Sequence, residues 1–262
     1  MRDAKKLVAG LVLGASALAC GQAFAETTGT VAVTSEYLFR GIEQENGAAV
    51  QGSLTWNNPS GFYLGAWASN ASLVGGNELD IYGGWTAEMG NGLSWDLGVI
   101  YYMYSEAEEV DGSLSIDYPE VYVGLSFGGL SGKVFYADKL NDELSDGSTC
   151  LALAAPGTVC NSDQEGIYVT LSYALAIKEG LDLTFQVGHS TGDGVENVLA
   201  VLGANDDSYT DYSVTLSKDL GNGMGASFAI VDTDLEADPT LTTPGVEDDP
   251  KFVVSLSKEF TL

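Results

Sequence analysis

The sequence predicts an all-β fold, a transmembrane antiparallel up-and-down β-barrel of about twelve strands. Three observations predict it: a two-faced final segment, similar segments along most of the chain, and connections that alternate between short and long. A strand between lipid and water requires a period of two, with apolar side chains on one face. In 251–262, Phe252, Val254, Leu256, Phe260 and Leu262 share one face, and Val253, Ser255, Ser257, Glu259 and Thr261 share the other. Ending on such a strand suits a bacterial outer-membrane barrel closed by its last strand. The same strand is where a barrel-assembly machinery would engage the chain. Most such barrels end on the aromatic itself; here Thr261 and Leu262 follow Phe260.

The N-terminus carries an export pattern. Arg2, Lys5 and Lys6 precede an apolar run from Leu7 to Cys20, and Ala23-Phe24-Ala25 offers small residues at the cleavage positions before Glu26. The run is shorter than the roughly 18–20 residues of a membrane-spanning helix. The expected organisation is therefore a signal peptide over 1–25 and a barrel over 26–262. Lipid attachment at Cys20 is the rival reading, set against Ala17 three residues before it and the Ala-x-Ala site just downstream.

Strands are expected near 30–41, 48–57, 61–70, 78–89, 92–105 and 116–128, then near 131–140, 165–177, 180–191, 208–219, 223–233 and 250–261. In the fifth, Leu93, Trp95, Leu97, Val99, Tyr101 and Met103 oppose Ser94, Asp96, Gly98, Ile100, Tyr102 and Tyr104. The eighth, ninth and tenth alternate as well; the third and seventh carry apolar residues on both faces. Glycine-bearing tight turns at 58–61, 90–92, 128–132, 178–180 and 221–223 alternate with longer links near 42–47, 71–77, 106–115, 141–164, 192–207 and 234–249. A twelve-stranded barrel with both termini in the periplasm has that pattern, its long loops outside. A soluble β-sandwich also alternates its faces, but it gives no reason for strict short–long alternation or for an apolar closing strand.

Composition narrows the partners. Asp and Glu number 37 against 10 Lys and Arg, a formal net charge of −27, which repels nucleic acid and anionic surfaces. A hydrophobic content of 45% with 13 Tyr argues against disorder. The expected surroundings are outer-membrane lipid and lipopolysaccharide, with small solutes inside; no oligomeric state is readable. Cys150 and Cys160 share one polar loop and suit a disulfide in an oxidising compartment, with free thiols or a metal pair as alternatives.

Several segments resemble a known family. Val33-Thr-Ser-Glu-Tyr-Leu-Phe-Arg-Gly-Ile42, Val50-Gln-Gly52 and Gly61-Phe-Tyr-Leu-Gly-Ala-Trp-Ala-Ser-Asn70 resemble the opening of the TorF family of porins. Leu79-Asp-Ile-Tyr-Gly-Gly84, the run 92–102 and Asp211-Tyr-Ser-Val-Thr-Leu-Ser-Lys-Asp-Leu220 extend the likeness. The resemblance implies an outer-membrane barrel that passes small hydrophilic solutes, and it implies no catalytic residues. The cysteine-bearing loop and the two residues after Phe260 depart from it.

Candidate lumen residues follow from parity. On the expected first strand Glu36 and Arg40 share a face, and a charge facing lipid costs several kcal/mol, so both should point inward. Four residues apart is about 13 Å along a strand, too far for a direct pair. Each should meet an opposite charge elsewhere, either as a pore constriction or as a network filling a narrow barrel. Gln51, Asp80, Asp96, Asp182, Gln186, Asp211 and Asp219 complete the set, and their carboxylates would favour cations. A closed surface barrel whose acidic loops bind ions, lipopolysaccharide or another surface is the alternative. The acidic loop residues Glu106, Glu108, Glu109, Asp111, Asp142, Glu143, Asp146, Asp206, Asp207, Glu247, Asp248 and Asp249 read as a solvated rim. None has calcium-loop spacing, so no metal or cofactor is assigned. His189, the only histidine, lies on an outward face with no Gly-x-Ser-x-Gly motif in the chain, so catalysis is not expected.

Overall fold

A computed structural model describes residues 25–45, 47–72, 76–105, 116–141, 146–148, 150, 160–204, 206–236 and 249–262. The expected signal sequence before Ala25 lies outside the described residues. So do Glu106, Glu108, Glu109, Asp111, Asp142, Glu143, Glu247 and Asp248 of the expected acidic rim.

Among the described residues the chain forms β1 (Glu26–Thr34), β2 (Tyr37–Phe39), β3 (Ile42–Glu45), β4 (Ala49–Asn57), β5 (Phe62–Ala71), β6 (Gly76–Glu88) and β7 (Leu93–Tyr104). It continues with β8 (Tyr118–Phe127), β9 (Leu130–Ala137), β10 (Gly166–Lys178), β11 (Leu181–Thr191), helix α1 (Asp193–Val201), β12 (Ser208–Gly221), β13 (Met224–Thr233) and β14 (Lys251–Thr261). All but β2 and β3 close one antiparallel barrel of twelve strands, in which β1 pairs with both β4 and β14. Closure leaves no unpaired edge.

The expected alternation is what the strands show. Leu97, Val99, Tyr101, Val169, Leu171, Tyr173, Phe252, Val254 and Leu256 are exposed on the outside, while Asp96, Tyr102, Tyr168 and Thr170 are buried inside. An apolar exterior around a polar interior suits lipid outside and water within. At the short-turn end, Phe62 stacks on Trp85 with ring centroids 5.9 Å apart, and Trp85 meets Trp95 edge-on at 4.7 Å. Such rings suit a membrane–water boundary.

Two expectations need correction. The first barrel strand ends at Thr34, not near residue 41, so Glu36 and Arg40 are not on a wall strand at all. Residues 35–45 instead turn inward, and β2 and β3 form a separate hairpin. Its physical cause is the Arg40-Gly41 turn. Both residues have positive φ, 51° and 83°, as a two-residue hairpin turn of the primed class requires. The second correction is the link 192–207, which holds α1.

Helix α1 and neighbouring loops pack over the long-loop end. Val195, Leu199, Ala204, Leu140, Ile116 and Leu235 join Tyr102, Tyr104, Tyr118 and Tyr209 in one buried cluster, against which Phe39 and Ile42 of the hairpin also rest. The side chain of Asn197, fully buried, accepts the Asn161 backbone N–H at 2.9 Å and donates to the Asn161 carbonyl at 3.1 Å. That fastens the helix to the loop beside Cys160, which is disulfide-bonded to Cys150.

Candidate functional site in the barrel lumen

The inward hairpin defines the site. Ser35 leaves the wall with its backbone N–H donating to the Val254 carbonyl at 2.9 Å. On the return, the Glu45 carboxylate accepts from Asn70 Nδ2 at 2.7 Å and from Ser72 Oγ at 2.6 Å, which fixes β3 to the wall near β5. Lys251 on β14 sits 3.6 Å from Glu43. Between these anchors the tip reaches across the barrel. A Cβ added to Gly41 would collide with Thr233 on β13 and crowd Asp211 on β12. Glycine is therefore needed twice there, for its positive φ and for its closeness to the far wall.

Arg40 is the latch. Its Nη2 donates to Glu120 Oε2 on β8 at 2.6 Å, and the same oxygen accepts the Tyr102 hydroxyl at 3.0 Å. The two charged side chains are 10% and 1% exposed, so this pair is buried. The guanidinium carbon lies 4.3 Å from the Tyr168 ring centroid and 4.7 Å from that of Phe39, contacts that favour the cation. Glu78 on β6 accepts hydroxyls from Tyr37 of the hairpin at 2.8 Å and from Tyr104 at 3.3 Å. Toward the short turns, Asp96 accepts from Tyr63 at 2.7 Å and from Lys133 Nζ at 2.8 Å, and Tyr63 also hydrogen-bonds Tyr122.

The other parity-selected residues separate into groups. Gln51, Asp80, Asp96 and Asp211 are buried on the inner face, and Gln186 is half-buried there. Asp80 is wholly buried beside the latch strands, and neither of its carboxylate oxygens has a hydrogen-bond partner among the described residues. Asp211 accepts the Tyr168 hydroxyl at 3.2 Å. Asp182 is half-buried near the short-turn end, whereas Asp219 is exposed and accepts the Gly221 backbone N–H of its own turn at 2.7 Å. Glu36 lines the lumen cavity from the hairpin. His189 is exposed on the outer face, 3.2 Å from Thr210 Oγ1. At the long-loop rim, partial burial and the like charges of Asp234, Glu236 and Asp207 raise the Asp206 carboxyl above its ordinary range.

Sequence reasoning missed Glu78, Glu120 and Lys133. Glu78 shares a face with Asp80, so the parity that selected one selects the other. Glu120 alternates with Tyr118 and Tyr122 in the same way. No sequence signal matched Arg40 to Glu120, 80 residues away.

Between the hairpin and the wall of β11–β14, β1 and β4 lies a cavity of about 70 Å³. Gln51, Gln186, Ser213, Thr215, Ser227 and Ser255 line it, with Arg40 and Asp211 at one side. The tyrosine-rich side of the lumen is filled and this side is not.

Residues 19–260 match a family described as a bacterial protein of unknown function (Gcw_chp). No curated protein matches. Among solved structures, one titled KdgM porin aligns at a TM-score of 0.53 and 9% identity, covering 89% of this chain and 99% of that one. A second structure of KdgM porin, in complex with disordered oligogalacturonate, has a TM-score of 0.51 at 9% identity, over 90% of this chain and 99% of that one. A NanC porin structure gives 0.51 at 10% identity, over 91% of this chain and all of that one. At such identities the likeness is one of fold: this closed twelve-stranded barrel has the architecture of those porins.

Proposed function

The chain belongs to the Gcw_chp family of bacterial proteins of unknown function, and we propose that it is an outer-membrane, porin-like channel for small hydrophilic solutes, narrowed by its own hairpin. The observation that carries this reading is the strip of serine, threonine and glutamine left open between the hairpin and the β11–β14 wall. A barrel evolved only as a scaffold gains by filling such a strip, because a void forfeits packing contacts. Small hydroxyl and amide side chains instead keep it wet and passable. The likeness to the TorF porins along the hairpin-bearing segment agrees with this reading.

The finer parts rest on charge and pattern. Glu78, Asp80, Asp96, Glu120 and Asp211 face the interior against Arg40 and Lys133, so passage favours cations over anions. Oligogalacturonate, found with KdgM porin, is a polyanion, and an acid-rich interior is unsuited to it. The chain would be exported with cleavage after Ala25, assembled through β14, and surrounded by lipid and lipopolysaccharide.

A second reading, a closed structural barrel with binding loops, is favoured by the buried Arg40–Glu120 latch that holds the hairpin across the lumen. Single-channel conductance separates the two. The refolded chain from Glu26 to Leu262 is inserted in a planar bilayer under a salt gradient. Stepwise openings with a cation-directed reversal potential support the channel. Silence from a folded, inserted barrel sinks it, and the closed barrel takes its place.

A further inference from the structure

The overall acidity of the chain hides a sorting of its lysines at the short-turn end. Beyond Ala25, Arg40 and Lys133 are paired in the lumen, and Lys139 and Lys251 lie at the long-loop end. Only Lys178, Lys218 and Lys258 remain, and all three stand near the short turns. Two of them share a repeated pattern, Leu216-Ser-Lys-Asp-Leu220 on β12 and Leu256-Ser-Lys-Glu-Phe260 on β14. A period of two turns Lys218 and Lys258 outward with the leucines, and turns Asp219 and Glu259 toward the lumen. Lys178 reaches the outer face by a bulge. A register shift after Ala176 makes it the partner of Leu181, which also pairs with Lys218.

We propose that this arc on β10, β12 and β14 binds the headgroup of an anionic phospholipid. The proposal rests on the membrane placement of the barrel and not on an open lumen. Strands two apart in the wall are about 10 Å apart, so a headgroup between two of these lysines is within reach of both. Although the chain has 37 Asp and Glu, none of the three lysines forms an ion pair among the described residues. Lys218 Nζ donates to the Glu179 carbonyl at 3.3 Å, and Lys258 Nζ donates to the Asn222 carbonyl. Both side chains therefore bend from the apolar wall toward the turns, at headgroup level. An ammonium group has three donors, so each keeps two for a phosphate. Exposed Leu216, Met224 and Leu256 offer the acyl chains an apolar wall beside them. From β4 to β8 the same rim turns Trp56, Phe62, Trp85, Trp95 and Phe127 outward, with no lysine or arginine. At the long-loop end, Asp138 lies beside the outward Tyr136, and Asp232 pairs with the outward Tyr212, so the attraction is confined to one leaflet.

Native mass spectrometry of the refolded Glu26–Leu262 barrel in neutral detergent counts bound lipid. Phosphatidylglycerol should bind about fivefold more tightly than phosphatidylcholine, the factor that one lysine near an anionic lipid contributes. Lys218→Gln combined with Lys258→Gln should bring the two lipids level. Lys218→Arg combined with Lys258→Arg should keep the preference, and Lys139→Gln at the other end should leave it unchanged. Heat-shifted gel mobility shows that each variant is folded. Equal binding of the two lipids by wild type overturns the proposal and leaves the lysines as caps of their own turns. A preference that survives the double glutamine variant overturns it too. Conductance in a phosphatidylcholine bilayer keeps the two claims apart. Current without a lipid preference removes the lipid surface and spares the channel, and preference without current does the reverse.

Discussion

Inward positions on β5–β10 carry Tyr63, Trp67, Tyr82, Tyr102, Tyr104, Tyr118, Tyr122, Phe135 and Tyr168, with Glu78, Asp80, Asp96, Glu120 and Lys133 among them. Those on β11–β14 carry mostly Thr184, Gln186, Ser190, Ser213, Thr215, Ser227, Ala229 and Ser255, with Tyr209 and Asp211 toward the long-loop end of β12. The first half is built like the core of a soluble protein: rings in contact, and most of its charges paired through short hydrogen bonds. Tyr102 stacks on Tyr118 at 4.8 Å, and Phe39 of the hairpin meets Tyr102 at 5.7 Å. The second half offers short polar side chains and a cavity. One barrel thus divides its interior between a side that holds the hairpin and a side that leaves room. Substitutions on the two halves should therefore act on different observables, stability on one and passage on the other.

The largest effect is expected at the latch. Arg40→Ala leaves Glu120 buried and without its cation, and losing one partner of a buried pair costs about 3–5 kcal/mol. Urea unfolding of the refolded barrel should show that loss. Pairing it with Glu120→Gln should recover most of it, because the stranded charge is then gone. In a bilayer, Arg40→Ala should also raise conductance by loosening the hairpin. An Arg40→Ala barrel as stable as wild type would mean that the hairpin is not held by this pair.

Why the latch was harder to read than the wall follows from the residues themselves. A period of two is local, so Asp96, Asp80, Gln51 and Asp211 could be placed inside from their neighbours alone. Tyr37, Leu38 and Phe39 continue the alternation of β1, so the sequence pattern runs on where the chain turns away. Arg40-Gly41 is the one local sign of that turn. It is a weak one, because asparagine or aspartate ordinarily takes the first left-handed position of such a hairpin. Arginine is tolerated there because Glu120, Tyr168 and Phe39 all act on its guanidinium. That compensation is a contact across the barrel, and no local window contains it. Helix α1 escaped for a related reason: its apolar residues read as part of a long loop until Leu140, Ile116 and Leu235 are brought against them.

A smaller effect on the same half sharpens the comparison. Tyr102→Phe keeps the ring that stacks on Tyr118 and removes only the hydroxyl that Glu120 accepts. Glu120 retains Arg40, so the expected cost falls to about 1–3 kcal/mol, the range for losing one hydrogen bond to a buried charged group. Urea unfolding again reads it. Single-channel current should hardly change, since the hairpin stays latched. A large change in current with little loss of stability would erase the division between the halves.

The smallest stability effect belongs to the open wall. Ser213→Ala removes a hydroxyl that lines the cavity and leaves every described strand pairing of β12 intact. No aromatic ring or ion pair depends on it, so unfolding free energy should stay within about 0.5 kcal/mol of wild type. Passage should respond instead, because a hydroxyl that hydrates a narrow strip is replaced by a methyl group that does not. The expected result is lower single-channel conductance at unchanged urea midpoint, the mirror image of Tyr102→Phe. If Ser213→Ala alters neither quantity while Arg40→Ala alters both, solute moves past the latch itself, and the tyrosine side rather than the serine side is the route.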